Sequence, residues 1–161
     1  MPKGGFSTEG GHDASGLRFA VVVARFNAHI TSMLYDGCRE EMLTHAARDA
    51  DIVTVDVPGC FELPLVAKTL AATGRFDAVV CLGAVIRGET PHFDFVSMGT
   101  AEGLQRAALD TGVPVIFGVL TTENEEQALD RAGGRAGHKG REAALTAIEM
   151  ALTMRHLRDV V

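Results

Sequence analysis

Four short runs rich in Val and Ile, at 18–24, 52–57, 78–82 and 113–120, punctuate this chain, and a stretch patterned for a helix separates each from the next. The runs are apolar at nearly every position rather than at every second one, which marks strands covered on both faces. Between the first two, Ile30, Leu34, Cys38, Met42 and Ala46 recur every four residues and line one face of a helix. Leu65, Val66, Thr69 and Leu70 predict a shorter helix, 93–109 a third, and 143–157, with Ile148 and Leu152 in phase, the last. Thr122 with Glu125 reads as a capping box opening one more helix between them. Parallel strands need crossovers, and each crossover helix must bury its stripe on the sheet. The pattern therefore predicts an α/β three-layer sandwich, a four-stranded parallel sheet with helices on both faces.

The chain has 161 residues, 47% of them hydrophobic, enough for one core, so 17–161 is expected to form a single domain. The polar, Gly-rich residues 1–16 are expected to be a flexible arm, ordered only against a neighbour. A formal net charge of -6 argues against a nucleic-acid partner, which would call for a basic face. Cys38, Cys60 and Cys81 are odd in number and form no CxxC pair, which predicts buried thiols in a reducing compartment. No apolar run is long enough to cross a bilayer and the start lacks the apolar core of a secretory signal, so a soluble, cytoplasmic protein with no membrane partner is expected. The six histidines share no ligand-like spacing with the cysteines, and no metal site is expected. GxGxxG, Walker-type, GxSxG and HExxH motifs are all absent, which removes support from dinucleotide binding, P-loop hydrolysis, serine hydrolysis and zinc proteolysis.

Ligands of open α/β sheets sit beyond the carboxyl ends of the strands. Those positions hold Ala24-Arg25-Phe26-Asn27 after the first run, Pro58-Gly59-Cys60-Phe61-Glu62 after the second, and Gly83 through His92 after the third. In the last segment two glycines and a proline frame a loop that ends in His92 at a helix start, where free backbone N–H groups and the helix dipole favour an anion. On these residues alone, a phosphate site with a titratable neighbour and an ordinary turn with a solvated histidine stand level.

Longer motifs add to this. Arg25-Phe26-Asn27, Gly59-Cys60-Phe61-Glu62-Leu63-Pro64 and the run Gly83 to Val96 resemble the lumazine synthase family, as do Phe117 to Asn124, Glu126-Gln127-Ala128, Arg131-Ala132-Gly133 and Lys139-Gly140, in order, over nearly everything from Leu17 onward. The resemblance implies a flavodoxin-like fold and a transferase of riboflavin biosynthesis. It would join 5-amino-6-(D-ribitylamino)uracil to 3,4-dihydroxy-2-butanone 4-phosphate, with release of phosphate and water, and need no metal and no organic cofactor. Mild departures are Phe93 and Phe95, where the family often has tyrosine, and Cys60, where it commonly has a small residue.

Carried over residue by residue, the resemblance implies that Phe26 stacks on the pyrimidine and that Glu62 accepts hydrogen bonds from ribityl hydroxyls. The backbones of Cys60, Phe61, Ala84, Val85 and Ile86 would bind ribityl and uracil edges. Glu89 and Thr90 would form the phosphate turn, the Glu89 side chain pointing outward, and His92 would move protons. Phe117 would close the pyrimidine pocket, Arg131 clamp the phosphate, and Lys139 add a cation, all three supplied by a neighbouring subunit of a homopentamer. The short segment from Arg131 to Lys139 resembles that of members forming icosahedral capsids of sixty subunits; the sequence leaves open whether riboflavin synthase is enclosed. The plainer alternatives are a core ring for Phe26, against which its loop placement argues, a helix-start acid for Glu62 and, favoured without the resemblance, a solvated helix-end cation for Arg131. Three other readings compete: a lumazine- or flavin-binding shell without turnover, a Schiff-base lyase using Lys68 or Lys139, and a flavodoxin-type electron carrier.

Overall fold

The computed structural model describes residues 11–160. Strands β1 (Phe19–Ala24), β2 (Ile52–Val57), β3 (Ala78–Ile86) and β4 (Val115–Thr122) form one sheet in the order β2-β1-β3-β4. Every pairing in it is parallel, with Phe19 level with Ile52 on one side and Ala78 on the other. Each crossover is helical: α1 (Ala28–Thr44), α2 (Leu63–Ala72) and α3 (His92–Thr111) join successive strands. After β4 come α4 (Glu125–Arg131), a two-stranded antiparallel ribbon of β5 (Ala132–Gly134) and β6 (Gly137–His138), and α5 (Lys139–Val160).

The sheet carries a core on each face, as the unbroken apolar strands require. Phe19, Val21, Val80 and Leu82 meet Ile30, Leu34 and Met42 of α1 and Ala144, Ala147 and Ile148 of α5. The alternate residues Ala20, Val22, Val79 and Cys81 meet Leu63 and Ala67 of α2 and Leu104 of α3. This is the three-layer sandwich that the periodicity implies, and it is flavodoxin-like, as the resemblance implies. The α1–α5 contact is close because small residues line it. A Cβ on Gly140 would fall 2.0 Å from the Leu34 carbonyl oxygen.

Three local expectations are corrected. β3 does not end at Leu82: Gly83 to Ile86 continue it, level with Val119 to Thr122 of β4, so much of the expected loop is strand. Gly83 belongs there because a Cβ would stand 2.3 Å from the Cys60 sulfur. The capping box is not Thr122 with Glu125. Thr122 is held extended in β4, and the cap of α4 is Asn124, whose side chain accepts the Gln127 N–H at 2.9 Å. The ribbon was not expected, and α5 begins at Lys139 rather than near Ala143.

Of the arm expected over 1–16, residues 1–10 lie outside the described residues. Ala14 is fully buried, and its N–H donates to the His45 carbonyl at 2.8 Å. Among the described residues no helix is long and apolar enough to cross a membrane.

Candidate functional site

β3 runs past the end of β1, and that overhang builds the site. The β1 pairing stops at Leu82, whereas the β4 pairing continues to Ile86. Arg87 donates its N–H to the Thr122 carbonyl on β4, at 2.9 Å. Backbone groups alternate sides along a strand, so Ala84 and Ile86 face the side that β1 has vacated. Ala84 is partly used there: its carbonyl accepts Asn27 Nδ2 at 2.9 Å. Ile86 keeps its amide edge toward the opening.

Two further loops close on this edge. Arg25 and Phe26 donate their N–H groups to the carbonyls of Val57 and Pro58, at 2.8 and 3.0 Å, which zips the loop after β1 to the loop after β2. Asn27 sits in the left-handed region at φ 62°, which asparagine tolerates better than most side chains. Its bond to Ala84 ties the first loop to β3. Asn27 has no role in the motif-based expectations; its type at a strand–helix junction was the available signal.

The result is a cleft of about 660 Å³ lined by Phe26, Cys60, Phe61, Glu62, Ala84, Val85, Ile86, Thr90 and His92, together with Pro58, Gly59, Gly88, Phe93 and Val96. Phe26 and Phe61 present exposed rings, 72% and 62% accessible, at positions where a core role would leave almost nothing exposed. Phe61 rests against Gly99, where a Cβ would come within 2.6 Å of the ring. Glu62 stands at the N-cap of α2 but makes no side-chain cap bond, and among the described residues its carboxylate has no hydrogen-bond or ion-pair partner. It is therefore available as an acceptor toward the cleft.

His92 opens α3, and its N–H lies 3.4 Å from the Thr90 hydroxyl. Glu89 is exposed and does not line the cleft. Arg87, another residue that sequence reasoning passed over, holds the base of this loop. Its guanidinium donates to Glu123 at 2.8 Å and to Asp94 at 3.4 Å and lies 4.2 Å from the centre of the Phe93 ring. Nothing in local sequence pairs Arg87 with Glu123, so only the fold reveals this contact.

Phe117, Arg131 and Lys139 do not line the cleft. Phe117 lies on the edge strand β4, 38% exposed. Arg131 ends α4, with Nη1 donating to the Gln127 carbonyl at 3.1 Å, and Lys139 begins α5. Neither cation has a carboxylate within ion-pair distance among the described residues. A single chain thus gathers nine of the thirteen expected residues into one cavity, leaves Glu89 on its rim and presents the other three elsewhere on its surface.

Cys60 is buried at 6% exposure, and burial, with Glu62 nearby, pushes its thiol up to about 11 against a weaker lowering by the Ala84 backbone. Only the thiolate reacts readily. Iodoacetamide at neutral pH is therefore expected to alkylate Cys60 roughly 100-fold more slowly than a free cysteine. Peptide mass mapping over time checks this; modification at the free-thiol rate would show the loop after β2 to be open.

Comparisons with known proteins place relatives over most of the chain. A family model described as 6,7-dimethyl-8-ribityllumazine synthase matches residues 16–155. A 6,7-dimethyl-8-ribityllumazine synthase of Syntrophus aciditrophicus (strain SB) is 54% identical over 150 residues, 93% of this chain and 97% of the relative. One of Desulfotalea psychrophila (strain LSv54 / DSM 12343) is 54% identical over 143 residues, 89% of this chain and 92% of that protein.

Proposed function

From the premise that the chain belongs to the 6,7-dimethyl-8-ribityllumazine synthase family, a family of riboflavin biosynthesis, we propose that it condenses 5-amino-6-(D-ribitylamino)uracil with 3,4-dihydroxy-2-butanone 4-phosphate. The products are 6,7-dimethyl-8-ribityllumazine, phosphate and water. The observation that carries this reading is the single cleft in which an exposed ring, an unpartnered carboxylate, a free strand edge and a histidine converge from three strand ends.

Each group has work suited to its chemistry. The Phe26 face stacks on the pyrimidine. Ile86 reads the uracil edge through its backbone, with Ala84 and Val85 shaping that wall, and the Cys60–Phe61 backbone and the Glu62 carboxylate hold the ribityl chain, an ionised acceptor serving several hydroxyls at once. The turn at Glu89 and Thr90, with the α3 N-terminus, receives the phosphate through N–H groups. The uracil amine attacks the ketone, a first water leaves to give an imine, phosphate is eliminated, the enol tautomerises to a ketone, and the ribitylamino nitrogen attacks that carbonyl, a second water leaving as the ring closes. His92 carries protons through these steps, because histidine exchanges them nearest neutrality. No cofactor is invoked: co-binding two oriented substrates is worth about 7 kcal/mol or more.

Phe117, Arg131 and Lys139 reach the cleft of a neighbouring subunit, so the working unit is a ring of five. The exposed Phe95, Met98 and Leu109 of α3 and Leu65 of α2 support burial against copies of the chain. The short segment from Arg131 to Lys139 supports assembly of such rings into a sixty-subunit shell. Three free, buried thiols support a cytoplasmic setting.

Purified protein mixed with both substrates is expected to release lumazine and phosphate in equal amounts. His92→Ala is expected to lower kcat roughly 10- to 100-fold, with much smaller changes in either KM. Absence of product above the uncatalysed background, with lumazine still bound, would overturn the reading in favour of a carrier.

A further inference from the structure

His138, to which no role has yet been given, occupies the junction between the two cations that the proposed mechanism assigns to phosphate. It pairs across the ribbon with Ala132, the residue after Arg131, and immediately precedes Lys139. Its ring lies directly on the backbone of α1: a Cβ on Gly37 would fall 2.1 Å from Cε1 and 2.3 Å from Nε2. Gly133 at φ +112° covers the other side, its Cβ position 3.1 Å from Cδ2. His138 Nδ1 accepts the Arg141 N–H at 3.3 Å, which caps the first turn of α5. Arg141 continues the same attachment, donating to Glu40 at 2.8 Å and Glu41 at 3.0 Å.

We infer that His138 is a positioning residue for phosphate binding: its neutral imidazole, seated on Gly37 and capping α5, fixes Arg131 and Lys139 in the geometry that receives the anion. The inference rests on the proposed reaction, since that reading is what gives the two cations their ligand.

The cap requires an unprotonated Nδ1. A proton there would turn the acceptor into a second donor aimed at the Arg141 N–H, and would add positive charge at a helix N-terminus. From α5, Arg141 disfavours that proton while Glu142 favours it, and from α1 Glu40 favours it. β5 is Ala132-Gly133-Gly134 and brings no charge, and α4 behind the ribbon carries Arg131 and Asp130, the latter engaged by Arg135 at 3.2 Å. Burial first, and Arg141 second, hold His138 below the ordinary histidine value of 6.5. The seat is therefore intact at neutral pH and is released on acidification.

Binding of inorganic phosphate to the full-length protein, measured by calorimetry between about pH 5 and 8, tests this. At neutral pH, His138→Ala is expected to weaken phosphate roughly five- to tenfold, and His138→Asn, which keeps a capping acceptor, to recover most of it. The ratio of wild-type to His138→Asn affinity cancels the titration of phosphate itself. It is expected to be flat above about pH 7 and to fall on acidification. Unchanged affinity in His138→Ala, or a flat ratio down to about pH 5, would overturn the inference. Should His138→Ala fail to fold, the ratio alone decides. Turnover of the same preparations separates the two levels: active wild type with unaltered phosphate binding in His138→Ala refutes only the role of His138, whereas a wild type that neither turns over nor binds phosphate refutes both.

Discussion

Gly140→Ala is expected to cost about 3 kcal/mol or more of folding stability, a large effect for adding one methyl group. The added Cβ would lie 2.0 Å from the Leu34 carbonyl oxygen, 2.8 Å from its carbon and 2.9 Å from Leu34 Cα. These are backbone atoms in the middle of a helix, so no rotamer change relieves the overlap, and α1 and α5 must separate as bodies. The same two helices cover one face of the sheet, and moving them opens the core around Leu34 and Ile148. Against a total stability of about 5–15 kcal/mol, the expected outcome is a melting midpoint lower by roughly 10 °C or failure to accumulate as folded protein. Gly88→Ala, where a Cβ meets nothing within 4 Å, is the control and is expected to change stability by less than about 0.5 kcal/mol. Chemical denaturation of both variants checks the contrast. A Gly140→Ala protein as stable as wild type would mean that the helices sit farther apart than described.

Arg131→Ala is expected to raise the KM for the ketone phosphate roughly 30-fold or more, the cost of losing a charge-assisted bond to phosphate, with a smaller effect on kcat. Because Arg131 lies outside the cleft that holds His92, the two residues are expected to serve one reaction from different chains. Mixing subunits then becomes diagnostic. When Arg131→Ala and His92→Ala subunits are unfolded, combined equally and reassembled, a cleft from the first beside a neighbour from the second contains both groups. Assayed with the ketone phosphate well below the KM of Arg131→Ala, where each variant alone is poor, random placement around a ring recovers about a quarter of wild-type activity. Recovery no greater than the average of the two separate variants would place Arg131 and His92 in one chain's site and would remove the need for a ring.

How much of this could be read in advance follows from how far each signal reaches along the chain. The four strands and the helices on α1 and α5 were legible because burial imposes a local period, near-continuous for a strand covered twice and about every fourth residue for a helix covered once. Phe26, Glu62 and His92 were legible as site candidates for a related reason. Parallel sheets send each strand's following residues to one edge, so three separate segments could be assigned to one cleft without coordinates. The resemblance then supplied chemistry to residues that spacing alone left between a phosphate turn and an ordinary loop.

Other features depend on contacts between residues distant in sequence. The extension of β3 to Ile86 is fixed by its pairing with β4, and Asn124 caps α4 because Thr122 is still held in that strand. Arg87 finds Glu123 thirty-six positions away, and Gly37 owes its identity to the ring of His138. Glycines 37, 83 and 140 look interchangeable in the sequence, yet each is required by a different neighbour. The sequence by itself determined the layered fold, the edge that carries the candidate site and the family, because hydrophobic period and ordered motifs are written along the chain. Only the tertiary structure decided which backbone edge stays open, how the ribbon is seated on α1, and that Arg131 and Lys139 stand apart from His92, because those are distances between segments and no local pattern encodes them.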